Sequence, residues 1–328
     1  MSRQRPRELL GIPTKCRSQP PDEDHMQDDV SLAIMDWNGA DIFDVMQART
    51  ALRDRGVLLV RHVLSAAEIA FARAQLRYRL LRHGERIQLG LTLPNAAALA
   101  PEISWLVAHP DIAWMHKAII GSDACFTGHC DMHMNMLSGW HKDSGESVGG
   151  YFAGDYFAAA ECRVFNTVVY LQDAGPGEGL TVSLGSHRHD SHRGPRWHVP
   201  SRAGDVILFD VRLSHVGHLP DLVESGIKAL ARPFRSRGGK EPGWATWGHA
   251  CYRRAVRRPD RLSVFFTYGQ NNWFTHDFSR ANMRRQIAQT GRGMFSLPAE
   301  LSAALSRVGV PIADVVTAEH RAAIGARP

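Results

Sequence analysis

Several things are scarce in this chain of 328 residues, and each scarcity removes a class of protein. No apolar run approaches the roughly 20 residues a helix needs to cross a membrane, so no membrane span is expected. The first 29 residues lack the apolar stretch of a secretory signal. Five cysteines, at positions 16, 125, 130, 162 and 251, are odd in number and form no Cys-x-x-Cys pair. They read as reduced thiols of a cytoplasmic protein, not as a disulfide framework or a zinc site. Lysine is rare: five of the 39 basic residues, the others being arginine. This Arg- and Ala-heavy usage fits the coding bias of a GC-rich bacterial genome. The net charge of +6 comes with no basic stripe interleaved with aromatics, so no nucleic-acid partner is expected. An anionic small substrate fits the charge as well. Internal repeats and low-complexity tracts are absent too.

What is present is ordinary folded protein, 44% hydrophobic and 22% charged. Residues 1–30, with Pro13, Pro20-Pro21 and an acidic run, read as an irregular arm. A helix is expected from Asp41 to a stop at Gly56, with Ile42, Val45, Met46 and Leu52 apolar, followed by a short buried strand over Val57–Val60. Ser65-x-x-Glu68 is a capping box, with Leu64 and Ile69 placed as a hydrophobic staple, so a second helix should run to about Arg82. Residues 85–100 are looser. A helical stretch over 102–120 should break near Pro110 and close at Gly121. After that, strands are expected at 130–137, 163–171, 180–184, 205–214 and 261–269, separated by Gly and Pro turns. Helices return at 280–288, 298–308 and 312–323. The expectation is α+β, one domain over 31–328.

The candidate chemistry starts at Trp140-His141-Lys142-Asp143. A His and a carboxylate two residues apart supply two ligands of a 2-His-1-carboxylate site, which needs a distant second His. Strand periodicity over Gly204–His215 puts Ile207, Phe209, Val211, Leu213 and His215 on one apolar face, with His215 at its end. His218, beyond Gly217, is the alternative. The run 261–269 puts Arg261, Ser263 and Thr267 on one face, a ready clamp for a carboxylate. The turn 185–192, with His187, His189 and His192, is a rival metal site. By alternation Lys142 should point away from the metal. Tyr151, Phe152, Tyr156 and Phe157 fall in or beside a Gly-rich loop at 144–156, either a substrate-facing lid or core packing.

His141-x-Asp143, Gly185-Ser186-His187, Gly204-Asp205 with His215 ten residues past Asp205, and then Arg261, resemble the phytanoyl-CoA dioxygenase family over about residues 56–270. The resemblance implies a double-stranded β-helix (jelly-roll, cupin-like) core, with the helices read above flanking it at both ends. It implies an iron(II)/2-oxoglutarate-dependent oxygenase using O2, with His141, Asp143 and His215 as iron ligands. Arg261, assisted by Ser263, would bind the far carboxylate of 2-oxoglutarate, and Asn135 and Asn166 are further candidates to touch it. The chain departs from the family in the 46-residue gap from His215 to Arg261, which implies an insertion over about 219–254. That leaves Arg253, Arg254, Arg257 and Arg258 as alternatives to Arg261. Because the carboxylate Asp143 is present, halogenation is not expected.

The expected substrate is a small molecule, with bacterial natural-product tailoring as the leading role. A glycoside or aminoglycoside antibiotic intermediate, hydroxylated or oxidatively cyclised, fits an aromatic mouth. The alternatives are an acyl-CoA substrate held by arginines of the insertion, a cupin-like metal isomerase, and a non-catalytic 2-oxoglutarate-binding module. The insertion is either a lid or a homodimer contact.

Overall fold

The computed structural model describes residues 30–145, 151–152, 156–175, 177–236, 239–290 and 297–316. The first 29 residues of the expected arm, the centre of the 144–156 loop and most of the helix expected at 312–323 lie outside them.

Eleven strands carry the described architecture. They are β1 (Ile34–Asp36), β2 (Val57–Arg61), β3 (Glu85–Ile87), β4 (Gly90–Leu93), β5 (Ala124–Met134), β6 (Val164–Tyr170), β7 (Glu178–Ser183), β8 (Arg196–His198), β9 (Val206–Asp210), β10 (His215–His218) and β11 (Leu262–Gln270). Eight form one sheet in the order β1-β2-β9-β6-β11-β5-β4-β3, and three form a second, β10-β7-β8. All pairings are antiparallel except β1 with β2. Residue His141 bridges His215 and so adds a single-residue fourth member to the smaller sheet. The two sheets enclose a cavity and form a double-stranded β-helix, with helices flanking it among the described residues.

The helical front follows its local signals. Helix α1 (Val45–Arg55) ends at Gly56, whose φ of 81° suits glycine, and its N–H closes on the Ala51 and Leu52 carbonyls. A Cβ at Gly56 would lie 2.6 Å from the His187 ring and 2.7 Å from Leu213, so the site demands glycine for space as well. Helix α2 (Ala66–His83) carries the capping box: Ser65 Oγ accepts from the Glu68 N–H and Glu68 accepts from the Ser65 N–H. Leu64 and Ile69 both pack on the main core, as a staple requires. Helix α3 (Pro110–Ile120) starts at the proline and stops at Gly121.

Four expectations are corrected. Ile42 and Met46 are 71% and 69% exposed; of the expected apolar set α1 buries Leu52, with Ala48 and Ala51 beside it. The loose stretch 85–100 contains the hairpin β3–β4, turned by Gln88 and Leu89 at φ of 50° and 64°. The expected strand 205–214 is two: β9 stops at Asp210, where the Leu213 N–H returns to the Asp210 carbonyl at 2.8 Å, and β10 starts at His215. The helix expected at 280–288 is longer, α6 (Trp273–Thr290). Between β10 and β11 lie α4 (Leu222–Ala231) and α5 (Gly243–Ala255), and α7 (Ala299–Arg307) follows α6.

Candidate metal centre

A one-residue bridge, the turn after it and the start of β10 place one candidate ligand each. Residue His141 faces His215 across a two-bond bridge, with amide–carbonyl distances of 3.1 and 2.9 Å. The bridge sets the two rings 4.3 Å apart between centroids. Asp143 is two residues on, its carboxylate oxygens 3.5 Å from His141 Nε2 and 3.5 Å from His215 Nε2. Donor atoms of all three residues lie within 4.8 Å of one another, and among the described residues no other group of three His, Cys, Asp or Glu does so.

The ring nitrogens are sorted by backbone. His141 Nδ1 donates to the Gly139 carbonyl at 2.7 Å, and His215 Nδ1 donates to the Leu213 carbonyl at 3.0 Å. That places the lone pair of each neutral ring on Nε2, aimed at the shared point, as a metal-binding imidazole requires. Burial pushes His215 down to about 4, so it is neutral at physiological pH. For His141 burial acts in the same sense, but the Asp143 hydrogen bond and charge outweigh it and raise the ring. Burial opposes the Asp143 carboxylate, yet His215 and His141, charged in the acid range where that carboxylate titrates, and the His141 hydrogen bond hold it well below the usual carboxylate range. This donor set, neutral imidazole twice and carboxylate once on one side, fits a divalent iron with three positions left over.

Of the two histidines, the structure brings His215 to His141 and Asp143. His215 opens β10 and points into the cavity, whereas His218 closes it. His218 Nε2 lies 2.8 Å from Glu224, on the helix that follows. The rival cluster is dispersed: His187 bonds the Arg53 carbonyl, His189 bonds Ser191 and His192 bonds Ser214. Lys142 points away from the triad and is buried, donating to the Ser186 and Arg212 carbonyls at 2.5 and 2.7 Å. Burial lowers its ammonium to about 8.

A cavity of about 380 Å³ opens from the triad. On one side it reaches Arg261, which immediately precedes β11, Ser263 and Phe265 on β11, and Tyr170. The Arg261 guanidinium donates to the Gly217 carbonyl at 2.5 Å and to that of Met136, and burial lowers it to about 10. Asn135 lies just past β5, at φ of 56°. Its amide nitrogen donates to Asp260 at 3.0 Å and its oxygen accepts the Arg261 N–H at 2.8 Å, so both ends are committed to fixing Arg261. Asn166 is committed as well. It donates to Asp143 and accepts from the Thr267 hydroxyl, so it touches the candidate ligand directly.

The opposite wall was not foreseen. Alternation on β5 turns His129, Asp131 and His133 inward, and α6 adds Phe278, Asn282 and Arg285. The buried Asp131 carboxylate accepts from the Asn95 N–H, Arg285 and Gln286 at 2.7–3.1 Å and faces His129 Nε2 at 3.2 Å. Thr267 donates to Asn166 and so accepts from His129 Nδ1, at 2.7 Å. A line of hydrogen bonds thus runs from Asp143 through Asn166 and Thr267 to His129, whose other ring nitrogen faces Asp131. The alternating His129-x-Asp131-x-His133 was the available signal; Arg285, about 150 residues on, had none. Of the loop aromatics, Tyr151 lines the cavity, whereas Phe152 and Tyr156 pack with Phe274 and Phe278 in a separate core.

No family model matches the chain, and no curated protein does either. Solved structures do resemble it. The non-heme alpha ketoglutarate dependent carbocyclase SnoK from nogalamycin biosynthesis is 16% identical, over 70% of this chain and 84% of that one, with a TM-score of 0.50. The epimerase SnoN of the same biosynthesis is 20% identical over 69% and 83%, with a TM-score of 0.48. EctD from S. alaskensis, solved with 2-oxoglutarate and 5-hydroxyectoine, is 16% identical over 71% and 78%, with a TM-score of 0.48. At such identities the likeness to SnoK concerns the fold: this chain has the double-stranded β-helix. No helix among the described residues is long and apolar enough to cross a membrane.

Proposed function

We propose that the protein is an iron(II)/2-oxoglutarate-dependent oxygenase that uses O2 to oxidise a C–H bond of a small molecule. The observation that carries this reading is the convergence of His141, Asp143 and His215, with both Nδ1 atoms held by carbonyls and both Nε2 atoms free for a metal. His141, Asp143 and His215 would hold the iron. With iron bound, coupling O2 to oxidative decarboxylation of 2-oxoglutarate, which yields succinate and CO2, supplies an oxidant able to take hydrogen from carbon.

The chain's own residues do the remaining work. Arg261, buried and pre-aimed by Asn135, the Gly217 carbonyl and the Met136 carbonyl, binds the far carboxylate, with Ser263 beside it on the same face. Asn166 steers one oxygen of Asp143. The wall of His129, Asp131, Asn282, Arg285 and Tyr151 faces the substrate with directional hydrogen-bonding groups, and Phe265 and Phe278 limit water.

Within this class, the motif order supports a phytanoyl-CoA dioxygenase-type enzyme. The SnoK fold and a polar, aromatic-edged cavity support tailoring of an oxygen-rich natural product, such as a glycoside or aminoglycoside antibiotic intermediate, by hydroxylation or oxidative cyclisation. An acyl-CoA substrate has less support, since Arg235, Arg253 and Arg258 are paired with Glu241, Glu178 and Asp221 instead of gathered for phosphates.

The test is an anaerobic titration of the apoprotein with iron(II) and 2-oxoglutarate, followed in the visible spectrum. A charge-transfer band lost in His141→Ala, Asp143→Ala and His215→Ala but kept in His218→Ala is expected. A wild-type protein that gives no band, and no succinate under air with any substrate tried, ends the proposal.

A further inference from the structure

Helix α4 is inside out. Its inward face is Glu224, Ile227 and Ala231, with Ile227 and Ala231 packed on Leu89, Leu137 and Ala245. The carboxylate of Glu224 is fully buried. It is held by His218 at 2.8 Å, His249 at 3.1 Å and the Asp221 N–H at 3.0 Å. The outward face carries aliphatic side chains: Leu222, Val223 and Leu230 are 92%, 48% and 68% exposed. The apolar surface continues through Phe234, whose ring lies 6.1 Å from that of Trp244, to Trp247 one turn further along α5. Those three are 65%, 49% and 71% exposed. A charge is spent inside the molecule to hold an oily face outside it.

At the roughly 150–250 Å² of an aromatic side chain, and less for leucine and valine, these six present several hundred Å² of apolar surface. That exceeds the few hundred Å² usual for a monomer. It is of the order of the ~800 Å² each partner gives to a standard interface. The composition also matches an interface core: aromatics flanked by exposed Arg232 and Arg254, while all three acidic residues described between 219 and 258 are ion-paired. Beside Trp247 lies an apolar recess lined by Leu81, Leu89, Leu91 and Met134. The face therefore carries both a projecting side chain, Leu222, and a hollow, the two parts a self-complementary two-fold contact needs.

We propose that the outward faces of α4 and α5, with Phe234 between them, are the surface through which two copies of this chain pair. The contact reaches the candidate site: His218, which locks Glu224 inward, follows Gly217, whose carbonyl accepts from Arg261. Pairing would thus clamp the strand end that aims this arginine. The flanking arginines meet their own kind across a two-fold axis, so pairing strengthens as salt screens them.

Sedimentation velocity of the full chain, from low to high micromolar concentration, tests this. A dimer is expected, with a dissociation constant raised at least about 30-fold in Leu222→Glu and in Trp247→Glu. Both side chains are mostly in solvent, so circular dichroism and thermal midpoint should stay as in wild type. A chain that is monomeric throughout overturns the proposal. So does a dimer indifferent to both substitutions, and so does a monomer that co-sediments with phosphatidylglycerol vesicles through this face.

Discussion

Replacing Asn166 with alanine separates two jobs that a polar strand residue beside this cavity can have. The amide is 1% exposed, donates to the Asp143 carboxylate and accepts from Thr267. Its removal deletes one hydrogen bond to a charged acceptor and leaves the Thr267 hydroxyl without its acceptor. A hydrogen bond to a charge contributes about 1.5–3 kcal/mol, and a stranded buried hydroxyl costs about 1–3 kcal/mol. The apoprotein should therefore lose about 3 kcal/mol of stability in urea unfolding. The sharper readout is the metal. Partners that orient a ligand typically change metal affinity 10–100-fold, and calorimetric titration with iron(II) under nitrogen, or with nickel(II), should show a loss in that range. The KM for 2-oxoglutarate at saturating iron should move by less than about threefold, because Asn166 spends both ends of its amide elsewhere. Wild-type metal affinity combined with a tenfold rise in that KM would refute the reasoning and return Asn166 to co-substrate binding.

Other perturbations have equally definite outcomes. In Arg261→Leu the KM for 2-oxoglutarate should rise about 100-fold or more while metal affinity stays, measured by succinate release. Glu224→Gln leaves two buried histidines facing a neutral amide and should cost about 3–5 kcal/mol in urea unfolding; a loss under 1 kcal/mol would show the lock to be weak. Gly56→Ala forces a left-handed residue and a Cβ into His187 and Leu213, so a drop of several degrees in thermal midpoint is expected. Burial holds His116 down at about 3, so the folded state keeps it neutral while the unfolded chain protonates near its ordinary 6.5. The stability this neutrality preserves is complete above pH 6.5 and falls as pH drops toward 3, by at most about 1.4 kcal/mol per unit. His116→Gln should flatten that slope between pH 6.5 and 5.

What could be read from the chain was local. The capping box and the Gly56 stop are chemistry of adjacent residues, and His141-x-Asp143 is a spacing. What escaped depends on partners distant in sequence. Val211 and Leu213 are both fully buried, so the apolar alternation runs unbroken through the turn at 210–213. That turn is set by Asp210, which accepts the Arg212 N–H at 2.8 Å and pairs with its guanidinium at 2.7 Å. The parity argument therefore favoured His215 through a strand that does not exist. The β3–β4 hairpin escaped because Gln88-Leu89 takes positive φ without the usual Asn or Gly. Helix α4 is amphipathic in sequence, but periodicity cannot say which face looks inward when a carboxylate is the buried group.

The single bridge between His141 and His215 gives the architecture a division of labour. Beyond Asp143 the chain leaves the smaller sheet almost at once, having spent one residue pair on it. The eight-stranded sheet, built on β5, β6, β9 and β11, carries the register that places Arg261 and Asn166. The segment after Asp143 owes that register little. Its described residues are tied instead to the turn before His215: the Ser144 N–H bonds the Val211 carbonyl, and Arg212 donates to the carbonyls of Tyr156, Ala159 and Cys162, so the stretch after Asp143 braces the turn that leads into His215.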